Sequence, residues 1–490
     1  MSAPSSTLTT ADAPTMPAGP AAFTLTDDLD HLADLLTEVL AAVRAGRRDR
    51  PGPLPAGGPS EVAATVRRRL GPNPLPHQGI GARTALAELT RTLSAGAADP
   101  AHPFCAAHLH CPPLAVGVAA DLAAAVLNQS LDSWDQAPAA TELEHQVVRG
   151  LAHLVGYRAE RAAGVVTSGG TESNLMGLLL ARDGAPDAGL RVFCSRLAHF
   201  SVARGARLLG LPARAVVDVD TDADGRMDVA ALDAALVEAR RQTPRARVVV
   251  VGTAGTTDLG SIDPLPDLAR VCEARDAFLH VDAAYGGGAL FSDRLRPLLT
   301  GLARADSVAL DLHKLGWLPI PAGVFLSRDR DLFTPLTTRV SYLNPADDER
   351  AGIPSLLGRS LRTTRRADVV KIAVALRALG LAGMGALVER CHDLAHYAAD
   401  RITARPDLVL HARPVLTTVV FSYAAAAGRT SAVNAGLRRR LLFEGRAVIG
   451  RADLAGVARL KLTLLNPHAT PADVDRLLDA VVAAGKEEER

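Results

Sequence analysis

Short apolar runs alternate with helical patterns through the middle of this 490-residue chain. Seven runs rich in valine and other aliphatic residues predict strands at 164–167, 191–194, 215–219, 248–253, 278–282, 307–311 and 322–326. Such βαβ alternation indicates an α/β fold whose mostly parallel sheet is covered on both faces. Because ligands of these sheets bind beyond the carboxyl ends of the strands, the residues after each run are the first candidates for chemistry.

Helical patterns dominate before this region. Residues 25–48 place leucine and valine at helical spacing, and a proline-rich stretch follows from Pro51, which predicts a helical arm and a linker. Further helices are predicted between 74 and 154, where the spacing of Thr141 and Glu144 is typical of a capping box.

The region after the predicted sheet has a different pattern. An arginine-rich helix is expected at 362–379, and apolar runs at 417–421 and 459–464 indicate a small α+β domain. These patterns divide the chain into four parts. They are a disordered tail at 1–24, a helical arm with linker at 25–100, a large domain at 101–380 that holds the candidate chemistry, and a small C-terminal domain at 381–490.

The charges of the chain are nearly balanced, with 54 Lys+Arg against 53 Asp+Glu, so no strong field favours nucleic acid or an anionic membrane. Residues 1–24 lack the basic and apolar regions of a signal peptide, and no apolar run is long enough to predict a membrane span. The five cysteines form no CxxC pair, which argues against a disulfide framework or a zinc ribbon and fits a reducing cytoplasm.

Lysines are scarce, because only Lys314, Lys371, Lys461 and Lys486 occur among the 54 basic residues. Arginine keeps its proton near neutral pH, so an amine nucleophile must come from these four. Lys314 follows a predicted strand and directly succeeds a histidine, which is where an α/β sheet presents functional groups. We expect Lys371 and Lys486 at the solvated surface, while Lys461 could point into a cleft or to water.

Two acidic and polar segments also follow predicted strands. Asp282 ends one strand and precedes small residues, so it could hold a cationic ring nitrogen, or it could cap the next turn. The segment TSGGTESN (167–174) lies between a strand and a helix, where glycines and hydroxyls form an anion cradle. It matches neither GxGxxG nor a Walker A motif, which favours a single phosphate over a nucleotide.

Histidines provide two further candidates. His199 follows the strand at 191–194 and could stack on a ring, shuttle protons or cap a helix. His108, His110 and Cys111 lie close together, but no second ligand cluster follows, so we expect no metal site.

These residues together satisfy the requirements of pyridoxal phosphate: an amine that forms an imine, an acid beside the pyridine nitrogen, a phosphate cradle and a histidine over the ring. The pyridoxal ring withdraws electrons from the α-carbon of a bound amino acid, and the protein selects which bond breaks.

The chain resembles the pyridoxal phosphate-dependent group II amino acid decarboxylases, which include aromatic, glutamate and 2,4-diaminobutyrate enzymes, and it is most similar to the last of these. The resemblance extends from about residue 102 to 480. It is carried by HLHCPP (108–113), NQSLDSWDQAPAATELE (128–144), TSGGTESNLMGLLLARD (167–183), AHFSV (198–202), GTAGTTDLGSIDP (252–264), HVDAAYGG (280–287), DLHK (311–314) and LKLTLLNPHAT (460–470).

The resemblance implies pyridoxal phosphate enzyme fold type I, similar to aspartate aminotransferase, and a homodimer with active sites at its interface. It implies that Lys314 bonds to the cofactor, Asp282 pairs with the ring nitrogen and His199 stacks on the ring. Thr257 and Ala284 would flank the ring. The phosphate would be held by Ser168, Gly170 and Thr171, with His313 beside it. Lys461 corresponds to a basic residue near the substrate carboxylate, although a lysine lacks the bidentate contact of the more usual arginine.

The sequence departs from its relatives at two places. Asp311 replaces the asparagine that aromatic and glutamate decarboxylases carry three residues before the lysine. The stretch that corresponds to their mobile loop, about 346–362, contains no tyrosine to return a proton to the product carbon. His199 or a residue of the other subunit could supply that proton.

Two segments line the substrate pocket of aromatic-specific relatives and present aromatic rings there, and one of them comes from the neighbouring chain. In this sequence, the segment from the neighbouring chain offers Asp132 and Asp135, and the other offers His110 with Cys111. Because carboxylates favour a cationic distal group, we expect a diamino acid, with 2,4-diaminobutyrate before ornithine or lysine. Asp132 and Asp135 could instead be surface or helix-capping residues.

Other activities stay open at this point. The same cofactor could support decarboxylation of an aromatic amino acid, transamination or decarboxylation-dependent oxidative deamination. A protein of the same fold without catalytic activity is a further alternative. A dinucleotide-dependent dehydrogenase is another, but no glycine-rich dinucleotide-binding motif follows any predicted strand.

Overall fold

A computed structural model describes residues 25–184 and 189–490. The predicted disordered tail at 1–24 lies outside these residues. The chain divides into two compact units, one formed by residues up to Asp49 with Thr65–Ala95, and the other by Arg50–Ala64 with Gly96–Arg490.

The helices of the described residues occur mostly where helical patterns were predicted. Their bounds are α1 Leu29–Arg48, α2 Gly58–Leu70, α3 Ala82–Gly96, α4 Ala115–Leu127, α5 Pro138–Val155, α6 Gly170–Asp183, α7 Ser201–Leu208, α8 Val229–Gln242, α9 Leu265–Arg275, α10 Ala346–Arg350, α11 Val369–Thr403, α12 Thr430–Phe443 and α13 Pro471–Glu489. The predicted arm helix is confirmed by α1, which Asp28 caps by accepting a hydrogen bond from the His31 backbone N–H at 2.9 Å.

A seven-stranded sheet forms the centre of the larger unit, and its strands confirm all seven predicted runs to within one residue at each end. They are β2 Ala163–Thr167, β3 Leu190–Ser195, β4 Val216–Val219, β5 Arg247–Thr253, β6 Phe278–Ala283, β7 Ser307–Asp311 and β8 Gly323–Ser327. The order is β2-β8-β7-β6-β5-β3-β4, and β8 alone runs in the direction opposite to the other six strands. The sheet is therefore mostly parallel, as predicted.

Both faces of this sheet are covered, which explains why its strands are continuously apolar. On β5, Val248 and Val250 belong to one hydrophobic cluster, whereas Val249 and Val251 belong to another. Since neighbouring side chains of a strand point to opposite faces, the two clusters lie on opposite sides of the sheet.

A second, five-stranded sheet contains the two strands predicted near the C-terminus. Its strands are β1 Cys105–Ala106, β9 Leu408–Leu410, β10 Thr418–Tyr423, β11 Val448–Leu454 and β12 Val457–Thr463, in the order β1-β11-β12-β10-β9. β1 pairs in parallel with β11 and was not predicted. The domain boundaries at residues 100 and 380 stay a prediction.

The capping box predicted at Thr141 and Glu144 is wrong. Helix α5 begins earlier because Pro138 occupies its first turn, where a missing N–H does no harm. Thr141 instead donates its hydroxyl to the Ala137 carbonyl at 2.8 Å. The buried Glu144 accepts two hydrogen bonds of 2.9 Å from Arg365, so it is the anion of a buried ion pair.

The surface position predicted for Lys371 is also wrong. The helix of the 362–379 segment begins only at Val369, and Lys371 is fully buried on it. Its Nζ lies 2.9 Å from Asp121 Oδ1 and 3.0 Å from Asp368 Oδ1. These two carboxylates compensate the buried ammonium, which no local pattern could reveal because Asp121 is distant in sequence.

One described helix, α11, is long and apolar enough to cross a membrane by length and composition alone. Its helical path is interrupted at Gly380, where φ is 64° and ψ is 177°. Val369, Ile372 and Val388 of this helix belong to the main hydrophobic core. One face of the helix therefore packs against the core of the protein.

Candidate active site

A cavity of about 260 Å³ lies at the carboxyl ends of the parallel strands. It is lined by Leu109, Ser168, Gly169, Gly170, Thr171, His199, Thr253, Gly255, Thr257, Asp282, Ala284, Tyr285, Asp311, His313 and Lys314. All nine residues predicted to bind the cofactor are in this set. Larger cavities of about 490 and 630 Å³ lie elsewhere, but no lysine is among the described residues that line them.

Lys314 projects from the loop that follows β7, and its Nζ lies 3.0 Å from Asp311 Oδ2. His313 Nε2 is 3.5 Å from the same oxygen. Burial lowers the pKa of His313, and Asp311 only partly offsets this effect. Lys314, which is the only lysine among the described residues that line the cavity, is thus held beside a carboxylate and a neutral imidazole.

Asp282 lies at the end of β6, and both of its oxygens have partners. Oδ2 accepts a hydrogen bond of 2.7 Å from the Asn174 side-chain amide. Oδ1 accepts one of 3.1 Å from the Ala284 backbone N–H, which is the turn-capping contact expected of such an aspartate. Asp282 can therefore cap the turn and also face a ring nitrogen, because the capping contact fixes the carboxylate where it lines the cavity.

Asn174 connects Asp282 to His280. Since a carboxylate only accepts, Asn174 Nδ2 must donate to it, and Asn174 Oδ1 then faces His280 Nε2 at 2.9 Å. That contact requires a proton on Nε2, so His280 Nδ1 accepts from the Ser307 hydroxyl at 2.8 Å. Burial lowers the pKa of His280 to about 4, which keeps the ring neutral at pH 7.

The same amide reaches His199. Asn174 Nδ2 lies 2.9 Å from Ser201 Oγ, and that hydroxyl lies 2.8 Å from His199 Nδ1. Burial lowers the pKa of His199, an effect that Asp282 opposes. The sequence alone assigned no role to Asn174, Ser201 or His280. What could have drawn attention to them is that each is a polar residue within an otherwise apolar helix or strand, where a buried polar side chain needs a partner.

The turn between β2 and α6 has the geometry of an anion cradle. Gly169 has φ of 150°, and a Cβ placed there would lie 3.1 Å from His313 Cε1. A Cβ on Gly170 would lie 2.8 Å from the Ala284 methyl group. Glycine therefore keeps the turn open, and the backbone N–H groups of the first turn of α6 remain available to an anion.

The residues fit pyridoxal phosphate in chemistry as well as in position. Thr253 Oγ1 is a buried polar atom without a hydrogen-bond partner among the described residues, and Thr253 lines the cavity. Unpartnered buried polar atoms are rare in folded proteins, so they indicate a place for a polar ligand. The amine, the carboxylate, the imidazole and the cradle lie around the same space.

The four predicted substrate residues do not line this cavity. His110 is exposed, and its neighbour Leu109 lines the wall instead. Asp132 is buried and accepts a hydrogen bond of 2.8 Å from Gln136, whereas Asp135 is exposed. Lys461 is buried with its Nζ 3.1 Å from the Thr257 carbonyl oxygen, so it lies directly behind the cavity wall.

Comparison with known proteins decides the family. Residues 67–424 match the pyridoxal-dependent decarboxylase conserved domain. The chain belongs to this family. The decarboxylase therefore uses pyridoxal 5′-phosphate and is a carboxy-lyase that acts on amino acids, as the resemblance implied.

Individual relatives of the decarboxylase agree with this assignment. It is 45% identical over 421 residues to an L-2,4-diaminobutyrate decarboxylase of Rhizobium meliloti (strain 1021), covering 85% of this chain and 84% of the relative. It is 34% identical to a protein of the same name from Acinetobacter baumannii, over 83% of this chain and 84% of the relative.

A solved structure resembles the decarboxylase over most of its length. This structure is the glutamate decarboxylase domain of diaminobutyrate-pyruvate transaminase and L-2,4-diaminobutyrate decarboxylase from Vibrio parahaemolyticus. The TM-score is 0.84 at 32% identity, and the match covers 93% of this chain and 96% of the other. The decarboxylase thus has fold type I of the pyridoxal phosphate enzymes.

Proposed function

We propose that this decarboxylase acts on L-2,4-diaminobutyrate, releasing carbon dioxide and 1,3-diaminopropane. The 45% identical relative of that activity supports the choice of substrate. The single observation that carries the reaction type is the convergence of Lys314, Asp282 and His199 on one cavity with a glycine turn. Ornithine, lysine and aromatic amino acids are the other substrates to compare.

The proposed roles follow from the chemistry of each side chain. When bound, pyridoxal phosphate withdraws electrons from the α-carbon of the amino acid, so that the bond to the carboxylate can break. Lys314 is the residue that would hold the cofactor aldehyde covalently. Asp282 would accept a charge-assisted hydrogen bond from the protonated ring nitrogen, and the Asn174 contact orients it.

His199 would stack on the cofactor ring in its neutral form, because its lowered pKa disfavours a charged imidazole there. Thr257 and Ala284 would flank the ring. The phosphate would be held by Ser168, Gly170 and Thr171 at the start of α6, with His313 beside it. These groups would bind and orient the cofactor in a preorganised site.

The remaining proposals concern the assembly and the substrate pocket. We propose a cytoplasmic homodimer in which Asp132 and Asp135 contribute to the substrate pocket of the neighbouring subunit, whereas His110 contributes to the pocket of its own subunit. Asp132→Phe tests this role, because unchanged turnover of diaminobutyrate would remove Asp132 from the pocket. Analytical ultracentrifugation tests the dimer.

The decisive assay offers the purified enzyme a panel of amino acids and measures carbon dioxide, amine and hydrogen peroxide together. We expect diaminobutyrate to give equal amounts of carbon dioxide and amine. Peroxide and ammonia in place of amine would identify an oxidative deaminase. Lys314→Ala is the control, and borohydride reduction followed by peptide mapping should find the cofactor on Lys314 and on no other lysine.

A further inference from the structure

Two hydrogen-bonding groups of Ser201 face the same ring nitrogen of His199. The Ser201 backbone N–H lies 3.3 Å from His199 Nδ1, and the Ser201 hydroxyl lies 2.8 Å from it. A backbone N–H can only donate, so Nδ1 must be the acceptor and carries no hydrogen. In a neutral imidazole the hydrogen is then on the other ring nitrogen, Nε2.

Asn174 determines the direction in which the Ser201 hydroxyl donates. The two amide hydrogens of Asn174 are directed to Asp282 Oδ2 at 2.7 Å and to Ser201 Oγ at 2.9 Å. Because the Ser201 oxygen accepts from Asn174, its own hydrogen is free to be donated to His199 Nδ1. Ser201 is 1% exposed, so the reverse arrangement would bury a hydroxyl hydrogen without an acceptor.

The amide of Asn174 can take only one orientation. The flipped amide would place its oxygen against the Asp282 carboxylate, where neither group has a hydrogen to donate. In the orientation that remains, Asn174 Oδ1 accepts from His280 Nε2 at 2.9 Å, and the Ser307 hydroxyl donates to His280 Nδ1 at 2.8 Å. Every hydrogen bond between this end of the network and His199 therefore has a determined direction.

The other ring nitrogen of His199 is left for a ligand. His199 lines the active-site cavity, whereas Ser201 does not. Among the residues that the structure describes, none forms a hydrogen bond with Nε2 of this ring. The imidazole thus directs its acceptor into the protein and keeps an N–H group without a protein partner.

We propose that Ser201 and Asn174 are positioning residues that hold His199 with its hydrogen on Nε2, so that His199 meets a ligand as a hydrogen-bond donor and not as a base. The lone pair that could take up a proton faces Ser201 instead of the cavity. The same Asn174 amide orients Asp282, so one side chain fixes both a donor and an acceptor of the site. The inference rests on the proposed function, since the ligand is the cofactor or the amino acid bound there.

The test is ¹⁵N NMR of the holoenzyme labelled at histidine, at about pH 8, where a histidine of lowered pKa is neutral. The His199 signals are those absent from H199N, and they should show the hydrogen on Nε2. S201A should raise the fraction of rings with hydrogen on Nδ1 by about fivefold, and should weaken pyridoxal phosphate binding to the stripped protein by a similar factor. S201T keeps the hydroxyl and should restore both values.

S327A is the matched control, because Ser327 is also fully buried and donates its hydroxyl to the Asp329 carbonyl at 2.6 Å. It should leave the His199 signals unchanged. Equal spectra of S201A and the wild type, or equal changes in S201A and S327A, would overturn the inference. If S201A does not fold, the wild-type spectrum still decides. Hydrogen on Nδ1 in an active enzyme refutes this inference alone, whereas hydrogen on Nε2 in an enzyme inactive on diaminobutyrate refutes the proposed function alone.

Discussion

The side-chain amide of Asn174 donates a hydrogen bond of 2.7 Å to Asp282, the carboxylate proposed to face the cofactor ring. The two residues are far apart in sequence and meet because α6 packs against β6. Asn174→Asp would place two carboxylates in contact, so we expect the protein stripped of cofactor to bind pyridoxal phosphate at least about tenfold more weakly. Absorbance titration measures this affinity.

Asn434 provides a matched control for that substitution. It is also a buried asparagine with contacts at both ends, since it donates to the Ala458 carbonyl and accepts from the Tyr423 N–H. N434D should reduce thermal stability without altering cofactor affinity. If both variants bind the cofactor equally well, the contact between Asn174 and Asp282 has no role in binding.

His280 should make stability depend on pH. Burial lowers its pKa to about 4, against an ordinary value near 6.5. Between these values the unfolded chain binds more protons, so the free energy of unfolding falls as the pH drops from about 6.5 toward 4, by up to about 3 kcal/mol. Urea denaturation at pH 7 and pH 5 measures the change. His280→Gln should lose less stability between these two pH values than the wild type, and an identical loss would contradict the prediction.

Asp311 places a carboxylate beside the cradle proposed for the phosphate. A Cβ on Gly170 would lie 3.3 Å from Asp311 Oδ2, and Oδ1 has no partner among the described residues. Because a carboxylate beside the cradle would repel a phosphate, Asp311→Asn should strengthen cofactor binding by about tenfold, as measured by titration of the stripped protein. Weaker binding would show that the contact with Lys314 matters more than the repulsion.

Tyr342 is a further candidate for the residue that returns a proton to the product carbon. It lies just before 346–362, the stretch that corresponds to the mobile loop of the relatives, and was therefore not considered there. Its side chain is 79% exposed, at a turn that buried Asn344 closes by accepting from the Val340 N–H at 2.8 Å. It does not line the cavity. If its phenol returns the proton to the product carbon, Y342F should release more hydrogen peroxide per carbon dioxide than the wild type, since oxygen then competes for that carbon. An unchanged ratio would exclude Tyr342 from the step.

The buried pair of Glu144 and Arg365 should be important for stability. Their side chains are 8% and 3% exposed, and Glu144→Gln would leave the guanidinium without its counter-charge. We expect the free energy of unfolding to fall by about 3 kcal/mol, as measured by urea denaturation. Glu238→Gln removes an exposed pair with Arg241 and should change little. Equal effects in the two variants would contradict this account.

That the residues proposed to hold the cofactor lie together could be predicted from the sequence, because they follow strands. Lys314, Asp282 and His199 each come just after an apolar run, and parallel strands bring their carboxyl ends to the same edge of a sheet. Because the chain has only four lysines, few residues could be the amine that bonds to the cofactor. The substrate residues stay a prediction, since Asp132 and Asp135 are expected at the pocket of the neighbouring subunit and do not line the cavity of their own chain.

By itself, the sequence determined the secondary structure, the class of fold and the residue types available for chemistry. Apolar periodicity is visible in each short segment, and the number of lysines can be counted without the fold. The tertiary structure decided which of these residues meet. The contacts of Asn174 with Asp282, of Lys461 with Asp258 and of Lys371 with Asp121 depend on strand order and helix packing. Burial then determined the charges, since a group removed from water keeps its charge only where another part of the chain supplies a partner.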